Sequence, residues 1–113
     1  MLELWIAQRE WSEKTFGTPA ERGPIGPLRH LGKEVGEAIE AIVDLKPEDD
    51  VREEMADIFI LAMDSAQRAG FGYHEIMRAI DKKQEKNRAR TWPTGVPSDQ
   101  PVEHAPQQLE LFS

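Results

Sequence analysis

The chain contains no cysteine. This excludes disulfide bonds and thiolate-bound metals, and it is typical of a reducing compartment. No segment approaches the ~20 consecutive apolar residues that a membrane-spanning helix needs. The start, Met1–Trp5, also lacks the basic region and long apolar run of a secretion signal. We therefore expect a cytoplasmic protein that makes no contact with a membrane.

Positive charge is scarce: the chain has 14 Lys and Arg residues and 21 Asp and Glu residues, which gives a net charge of −7. Direct nucleic-acid binding requires a basic footprint, so we expect none. An acidic protein can still bind a triphosphate if divalent cations lie between the two sets of negative charges. A chain of 113 residues forms at most one small domain, and such chains often complete their burial by oligomerising.

No segment alternates apolar and polar residues as a half-buried strand would, whereas helical spacing recurs throughout. The pattern predicts an all-α fold with a four-helix bundle-type core. The second helix begins near Pro27, and the third begins at an N-cap, Asp50, whose capping box is completed by Glu53. The predicted helices run approximately over residues 2–16, 27–44, 50–69 and 73–90.

Two apolar features indicate how these helices pack. The second helix carries an apolar stripe, and residues 58–63 of the third helix are apolar on every side, so we expect that segment to be central and largely buried. Residues after Pro93 are rich in Pro, Gln and Ser and lack periodicity. We therefore predict one domain over residues 1–92 and an extended C-terminal arm over residues 93–113. The stripe consists of Leu28, Leu31, Val35, Ile39 and Ile42.

Two pairs of acids are spaced three residues apart, Glu34 with Glu37 and Glu54 with Asp57. Residues at this spacing lie on one helix face. A short linker forces the two helices into an antiparallel hairpin. With its bend near Pro47, Glu37 and Asp57 lie at the same height, Glu34 and Glu54 lie one turn to either side, and all four carboxylates converge.

Such convergence requires counter-charge, because clustered carboxylates repel one another. Oxygen ligands without His or Cys favour Mg²⁺ or Mn²⁺ over zinc, and we expect two or more ions in the site. The alternative is a solvated acidic helix face, which is common for an isolated pair of this spacing. Asp64 lies two turns beyond Asp57, and for it we favour a structural role.

The inner face of the fourth helix turns polar halfway along, which indicates contact with a ligand or with water. Lys83 and Arg90 suit phosphate oxygens, and Asn87 suits a phosphate or a ribose hydroxyl. Alternatively, this helix protrudes past the bundle and its basic end complements the helix dipole.

In this arrangement the carboxylate motif resembles the ExxE and ExxD signature of MazG-like all-α nucleotide pyrophosphohydrolases. Within that group, the chain is most similar to the dATP/dGTP diphosphohydrolases of phages and bacteria. The similarity extends over about residues 28 to 104. Further shared features are the Arg68-Ala69-Gly70 turn, the ordered residues Lys83, Asn87, Arg90, Trp92 and Pro93, and the late pair Glu103-His104. Many relatives have two adjacent acids where this chain has Lys33 and Glu34.

The resemblance implies hydrolysis between the α and β phosphates of a purine deoxynucleotide, in a homodimer or homotetramer that uses Mg²⁺ or Mn²⁺. It implies metal-binding and catalytic roles for Glu34, Glu37, Glu54 and Asp57, and triphosphate contacts for Lys83, Asn87 and Arg90. Two alternatives stay open: the same scaffold acting on dUTP or a phosphoribosyl nucleotide, and a non-catalytic helical adaptor.

Base recognition is poorly specified. His30 lies one turn before Glu34 and is either a partner of that carboxylate or a surface histidine. Four aromatic residues either stack on a purine or fill the core: Trp5, Trp11, Phe16 and Trp92.

The C-terminal segment Gln108–Phe112 resembles the short peptide with which many bacterial replication proteins dock into the sliding clamp. In such docking, Leu111 and Phe112 fill an apolar pocket while Gln108 forms a hydrogen bond at its rim. Alternatively, the apolar residues of this segment pack on their own or on a neighbouring subunit.

Overall fold

The computed structural model describes residues 1–105, and within that range it contains helices and loops but no strand. This confirms the predicted all-α fold. The segment Gln108–Phe112 lies outside the described residues. The helices are α1 (Leu2–Phe16), α2 (Ile25–Val43), α3 (Glu48–Arg68) and α4 (Tyr73–Ala89).

The chain divides into two compact units, Met1–Ile76 and a second that begins at Met77. In the first unit, α2 packs along α3, and α1 packs on α3. Two small residues of α2, Ala38 and Ala41, are buried. Their size permits close approach of the neighbouring helix. The α2–α3 hairpin is the element on which the acidic residues lie.

The turn between α2 and α3 needs one left-handed residue, Leu45, with φ of 53°. The Lys46 N–H donates to the Ala41 carbonyl at 2.9 Å, and the Leu45 N–H donates to the Ile42 carbonyl at 3.2 Å. This is the Schellman arrangement, which normally uses glycine at the left-handed position. The same pair of hydrogen bonds ends α3, where Gly70 has φ of 93°.

The predicted starts of α1 and α4 are confirmed, whereas the predicted starts of α2 and α3 are each two residues too late. α2 begins at Ile25 because the Pro24 carbonyl already accepts the Leu28 N–H, at 3.0 Å. Pro27 therefore lies inside the first turn, where its missing N–H is not needed.

The third helix begins at Glu48, and its N-cap is Pro47, not Asp50. The Pro47 carbonyl accepts the Asp50 N–H at 3.0 Å. Asp50 is consequently already helical, and it cannot cap the turn that contains it. No side chain caps this end, so the capping box with Glu53 is absent. The three acids of the first turn instead lie near the positive end of the helix dipole.

The predicted burial of residues 58–63 is also wrong for the single chain. Phe59 is 65% exposed, and the buried residues of α3 are Asp64, Ser65, Gln67 and Arg68. Most of the apolar stripe on α2 is exposed as well. The reason is that α2 and α3 meet through small and polar residues, which leaves their large apolar side chains on outer faces.

A buried polar network joins α1 and the loop after it to α3. Arg68 donates to Asp64, to Ser12 and to the carbonyls of Gly17 and Arg22, and Ser12 donates its hydroxyl to Asp64. The side chain of Arg68 is only 2% exposed. Asp64 therefore has the structural role expected of it, because both of its carboxylate oxygens are engaged by protein groups.

The second unit contains a closed loop after α4. The Ala105 N–H donates to the Thr91 carbonyl at 2.9 Å, which brings the two ends of this loop together. The indole of Trp92 donates to the Asn87 carbonyl at 2.6 Å and packs edge-on against His104. Within the described part of the chain, no helix combines the length and the apolar character required to cross a membrane.

Candidate metal and substrate site

The register of the α2–α3 hairpin decides which carboxylates meet. Glu34 lies nine residues before the last residue of α2, and Asp57 lies nine after the first residue of α3; for Glu37 and Glu54 the separation is six. The hairpin therefore bends between Leu45 and Lys46, not near Pro47 as predicted. Counted from the helix ends, this places Glu34 level with Asp57 and Glu37 level with Glu54.

Three of the four predicted carboxylates form a tight cluster. Carboxylate oxygens of Glu34, Glu54 and Asp57 all lie within 4.8 Å of one another. The side chain of Glu34 is only 12% exposed, whereas Asp57 is exposed. This spacing suits a divalent cation bound by several oxygens, since Mg²⁺ and Mn²⁺ prefer carboxylate ligands.

Glu37 lies at the edge of this cluster. Its side chain is 41% exposed, and its Oε1 atom lies 3.9 Å from the Lys33 ammonium. Its proximity to Glu34 also contributes to the lowered pKa of that residue. Lys33 thus provides partial counter-charge on the solvent side of Glu37.

In the cluster without metal, the pKa of Glu54 is raised and the pKa of Glu34 is lowered. A hydrogen bond with Glu34 is the largest influence raising the pKa of Glu54, followed by burial and by the charges of Glu34, Glu37 and Asp57. The same hydrogen bond is the largest influence lowering the pKa of Glu34, and His30 lowers it further through a 3.1 Å contact. Glu54 is therefore the acid that holds a proton most readily.

Glu54 also has an unsatisfied atom. Its Oε2 oxygen is buried and has no hydrogen-bond partner among the described residues. A buried carboxylate oxygen without a hydrogen-bond donor destabilises the fold, and such an oxygen readily binds a cation. The residues present therefore fit a divalent metal ion.

An acidic groove runs from the cluster toward the hairpin bend, with a volume of about 440 Å³. Glu53, which was predicted to cap a helix, and Glu40 both line it. Lys46 is the one basic residue in its lining. Its acidic lining residues are Glu37, Glu40, Asp44, Asp50, Glu53 and Glu54.

A second cavity, of about 220 Å³, opens beside Glu34 and Asp57. Its apolar walls come from α1 and α3, and Trp11 packs edge-on against Phe16 with ring centroids 5.4 Å apart. Two of the four aromatic candidates, Trp11 and Phe16, therefore lie next to the carboxylate cluster. Trp5 instead is core: it is 3% exposed and packs edge-on against Tyr73.

The basic candidates lie in the second unit. Lys83 and Asn87 are four residues apart on α4, and so lie on one face of that helix, and Arg90 follows the end of the helix. Lys83 is exposed, while Asn87 and Arg90 are half-buried. Their predicted contacts with a triphosphate stay a prediction.

Comparison with known proteins decides the family. The profile of the dATP/dGTP pyrophosphohydrolase family matches residues 5–110. The chain belongs to this family. No curated protein sequence matches the chain.

The fold agrees with this family. A solved structure of the MazG-like pyrophosphohydrolase of cyanophage S-2L, bound to dGDP and three catalytic Mn²⁺ ions per active site, is 30% identical to this chain, with a TM-score of 0.66. The match covers 92% of this chain and 95% of that one. It confirms the predicted MazG-like fold.

This dATP/dGTP pyrophosphohydrolase family member is thus a hydrolase of nucleotides and not a non-catalytic adaptor. The prediction of a metal-dependent nucleotide pyrophosphohydrolase is confirmed.

Sequence reasoning missed the cavity beside Glu34 and the position of Glu53 in the groove. The one signal for the cavity was the spacing of Gln8 and Trp11, three residues apart on α1.

Replacing Glu54 with Gln tests whether this carboxylate destabilises the fold without metal and binds the metal ion. A glutamine can donate to Glu34 and is never ionised, so it avoids the repulsion that an ionised Glu54 adds, and we expect an unchanged or higher melting temperature without metal. Wild-type protein at a Mn²⁺ concentration about 100 times its Kd should gain about 2.7 kcal/mol, and the variant should lose most of that gain.

Glu10→Gln is the matched control, because Glu10 is exposed on α1 and lines neither the acidic groove nor the cavity beside Glu34. Differential scanning calorimetry with and without Mn²⁺ provides the measurement. Equal Mn²⁺ stabilisation of wild type and Glu54→Gln would remove Glu54 from the ligand set. In the wild type, Mn²⁺ affinity should also fall as the pH is lowered, because the raised pKa of Glu54 keeps its proton in place.

Proposed function

We propose that this protein hydrolyses the bond between the α and β phosphates of dATP and dGTP, releasing the deoxynucleoside monophosphate and pyrophosphate. The observation that carries the proposal is the cluster of Glu34, Glu54 and Asp57 beside a cavity with aromatic walls. Family membership supports the reaction class. The S-2L enzyme, with dGDP and Mn²⁺ bound, supports a purine and a divalent ion.

In this proposal Glu34, Glu37, Glu54 and Asp57 hold the divalent ions. Bound Mg²⁺ or Mn²⁺ neutralises phosphate charge and lowers the pKa of the attacking water. Glu34 and Glu54 present oxygens from facing helices, so the hairpin itself orients the ligands. His30 holds Glu34 through the 3.1 Å contact between its Nε2 and the carboxylate, which supports a role as a partner of this ligand.

The remaining roles follow from position and charge. Trp11 and Phe16 lie at the cavity beside the carboxylates, and we assign them to the base. Lys83, Asn87 and Arg90 are assigned to the triphosphate, because they combine two cations with an amide on one short segment. The domain is proposed to comprise residues 1–92, with residues 93–113 as its arm.

We place the reaction in the cytoplasm of a bacterium, or of the host if the gene is phage-encoded. The lack of cysteine supports this proposal.

A panel of the eight common ribo- and deoxyribonucleoside triphosphates tests the function. With Mg²⁺ or Mn²⁺ present, dATP and dGTP should give equimolar monophosphate and pyrophosphate, and Asp57→Asn should lower kcat at least a hundredfold. Preferred turnover of dUTP would move the substrate assignment to another base on the same scaffold. No turnover of any nucleotide, or release of orthophosphate with a diphosphate, would contradict the proposal.

We also propose that the enzyme is a homodimer or homotetramer with its active sites near the subunit junction. The outer faces of α2 and α3 support this, because Val35, Ile39 and Phe59 are 41%, 57% and 65% exposed. Large contiguous apolar faces mark interaction surfaces. A second copy of the chain would cover these apolar side chains.

Light scattering coupled to size exclusion at micromolar concentration measures the assembly. The expected mass is two or four times the 12.9 kDa of one chain. An Ile39→Glu, Phe59→Glu variant should shift to the monomer, because it places charge on the proposed contact. A monomeric wild type would refute this part of the proposal.

A second proposal concerns the segment Gln108–Phe112, whose sequence supports docking into a bacterial sliding clamp. Calorimetric titration of the clamp with wild type and with the Leu111→Ala, Phe112→Ala variant decides it. We expect binding by the wild type and at least a tenfold loss in the variant, since both apolar anchors are removed. Equal binding, or no binding by either protein, would end this proposal.

A further inference from the structure

Apolar side chains provide most of the surface of the cavity beside Glu34 and Asp57. Trp11 and Phe16 come from α1, and Ile60 and Leu61 come from α3. Its volume of about 220 Å³ is below the ~300 Å³ lower limit of pockets that hold a whole drug-sized ligand. It suits one flat ring system, with charged groups of the same ligand lying outside toward the carboxylates.

Nearly every polar side chain in this cavity already has a partner or a role. His30 contacts Glu34 at 3.1 Å, and Glu34 and Asp57 belong to the metal cluster. Asp64 accepts from Ser12 and from Arg68, so both of its oxygens are engaged. The remaining polar lining residue is Gln8.

Gln8 lies on α1, one turn before Trp11, and is half-buried. Among residues 1–105 its carboxamide makes no side-chain hydrogen bond, unlike Gln67, whose amide donates to the Trp5 carbonyl at 2.8 Å. A carboxamide offers one acceptor and two donor hydrogens. These groups are not occupied by the protein, so they are available to a ligand that enters the cavity and displaces water from them.

We infer that Gln8 is the residue that reads the purine base, through the 6-position and the adjacent ring nitrogen. This inference rests on the proposed function, and it adds the residue that selects among bases. Trp11 and Phe16 provide the apolar contact with the ring, while Gln8 supplies the hydrogen bonds that orient it.

A carboxamide accounts for acceptance of both purines. Adenine presents an amino donor at position 6 beside the N1 acceptor, and guanine presents the O6 acceptor beside the N1–H donor. Rotating the amide of Gln8 by half a turn exchanges its donor and acceptor, so that it forms two hydrogen bonds with either base. Pyrimidines carry similar edges on a smaller ring, which would leave the amide of Gln8 unpaired, and an unpaired buried polar group is strongly unfavourable.

Two substitutions at this position should have different effects on the kinetics. Gln8→Leu removes both hydrogen bonds, so kcat/KM for dATP and for dGTP should each fall about tenfold or more, mainly through KM. Gln8→Glu leaves only acceptors. By moving one position along the same edge of the base, its carboxylate can accept from both the N1–H and the 2-amino group of guanine, whereas adenine offers only the single amino donor at position 6. The ratio of kcat/KM for dGTP to that for dATP should therefore rise about tenfold or more.

Steady-state kinetics with both substrates in Mn²⁺ provides the measurement, and Glu10→Gln on the exposed face of α1 is the control. Any effect of the new charge on metal binding cancels in the ratio, because both substrates meet the same metal site. Circular dichroism establishes that each variant is folded, and either variant alone tests the inference.

The possible results separate the inference from the proposed function. An active wild type with base ratios unchanged in Gln8→Glu, or with unchanged KM values in Gln8→Leu, would overturn the role of Gln8 and leave the proposed reaction standing. A wild type without activity on any triphosphate would overturn the proposed function itself, and the base-reading role with it.

Discussion

Repulsion among carboxylates on the facing sides of α2 and α3 is the constraint on which the rest of the site depends. Glu34, Glu54 and Asp57 bring oxygens within 4.8 Å of one another, a spacing at which like charges oppose close packing of the helices. This repulsion contributes to the raised pKa of Glu54. A divalent ion would offset the repulsion and give the buried Oε2 atom a partner.

The helices nonetheless stay together because other contacts hold them. Ala38 and Ala41 allow α2 to approach α3 closely. At the far end of α3, Arg68 joins Ser12, Asp64 and the loop after α1. Removing one partner of a buried ion pair costs about 3–5 kcal/mol, so this network holds α1 and the loop after it firmly against α3. It also fixes the wall of the cavity beside Glu34, because Asp64 belongs both to that wall and to the network.

Sequence periodicity and motif spacing were sufficient for the helices and for the candidate ligands. The four elements were predicted within two residues at most ends, since Gly17, Gly70 and the Pro93 region are strong local signals. The convergence of two carboxylate pairs followed from three-residue spacing on two antiparallel helices. The family resemblance then connected this geometry to a reaction.

Sequence reasoning failed where tertiary context decides. The hairpin register depended on Leu45 adopting a left-handed conformation, which its residue type does not indicate. The burial of residues 58–63 was predicted from their apolar character, but polar residues of α3 fill the interior of the single chain. The cavity beside Glu34 needed the three-dimensional approach of α1 to α3, and its one signal in the sequence was the three-residue spacing of Gln8 and Trp11 on α1.

Anomalous scattering from crystals grown with Mn²⁺ tests the central claim most directly. If the hairpin register creates the metal centre, manganese peaks should lie within about 2.0–2.3 Å of carboxylate oxygens of Glu34, Glu54 and Asp57. The Oε2 atom of Glu54 should be among the ligands. Manganese bound only at other acids, or no manganese between α2 and α3, would contradict the account.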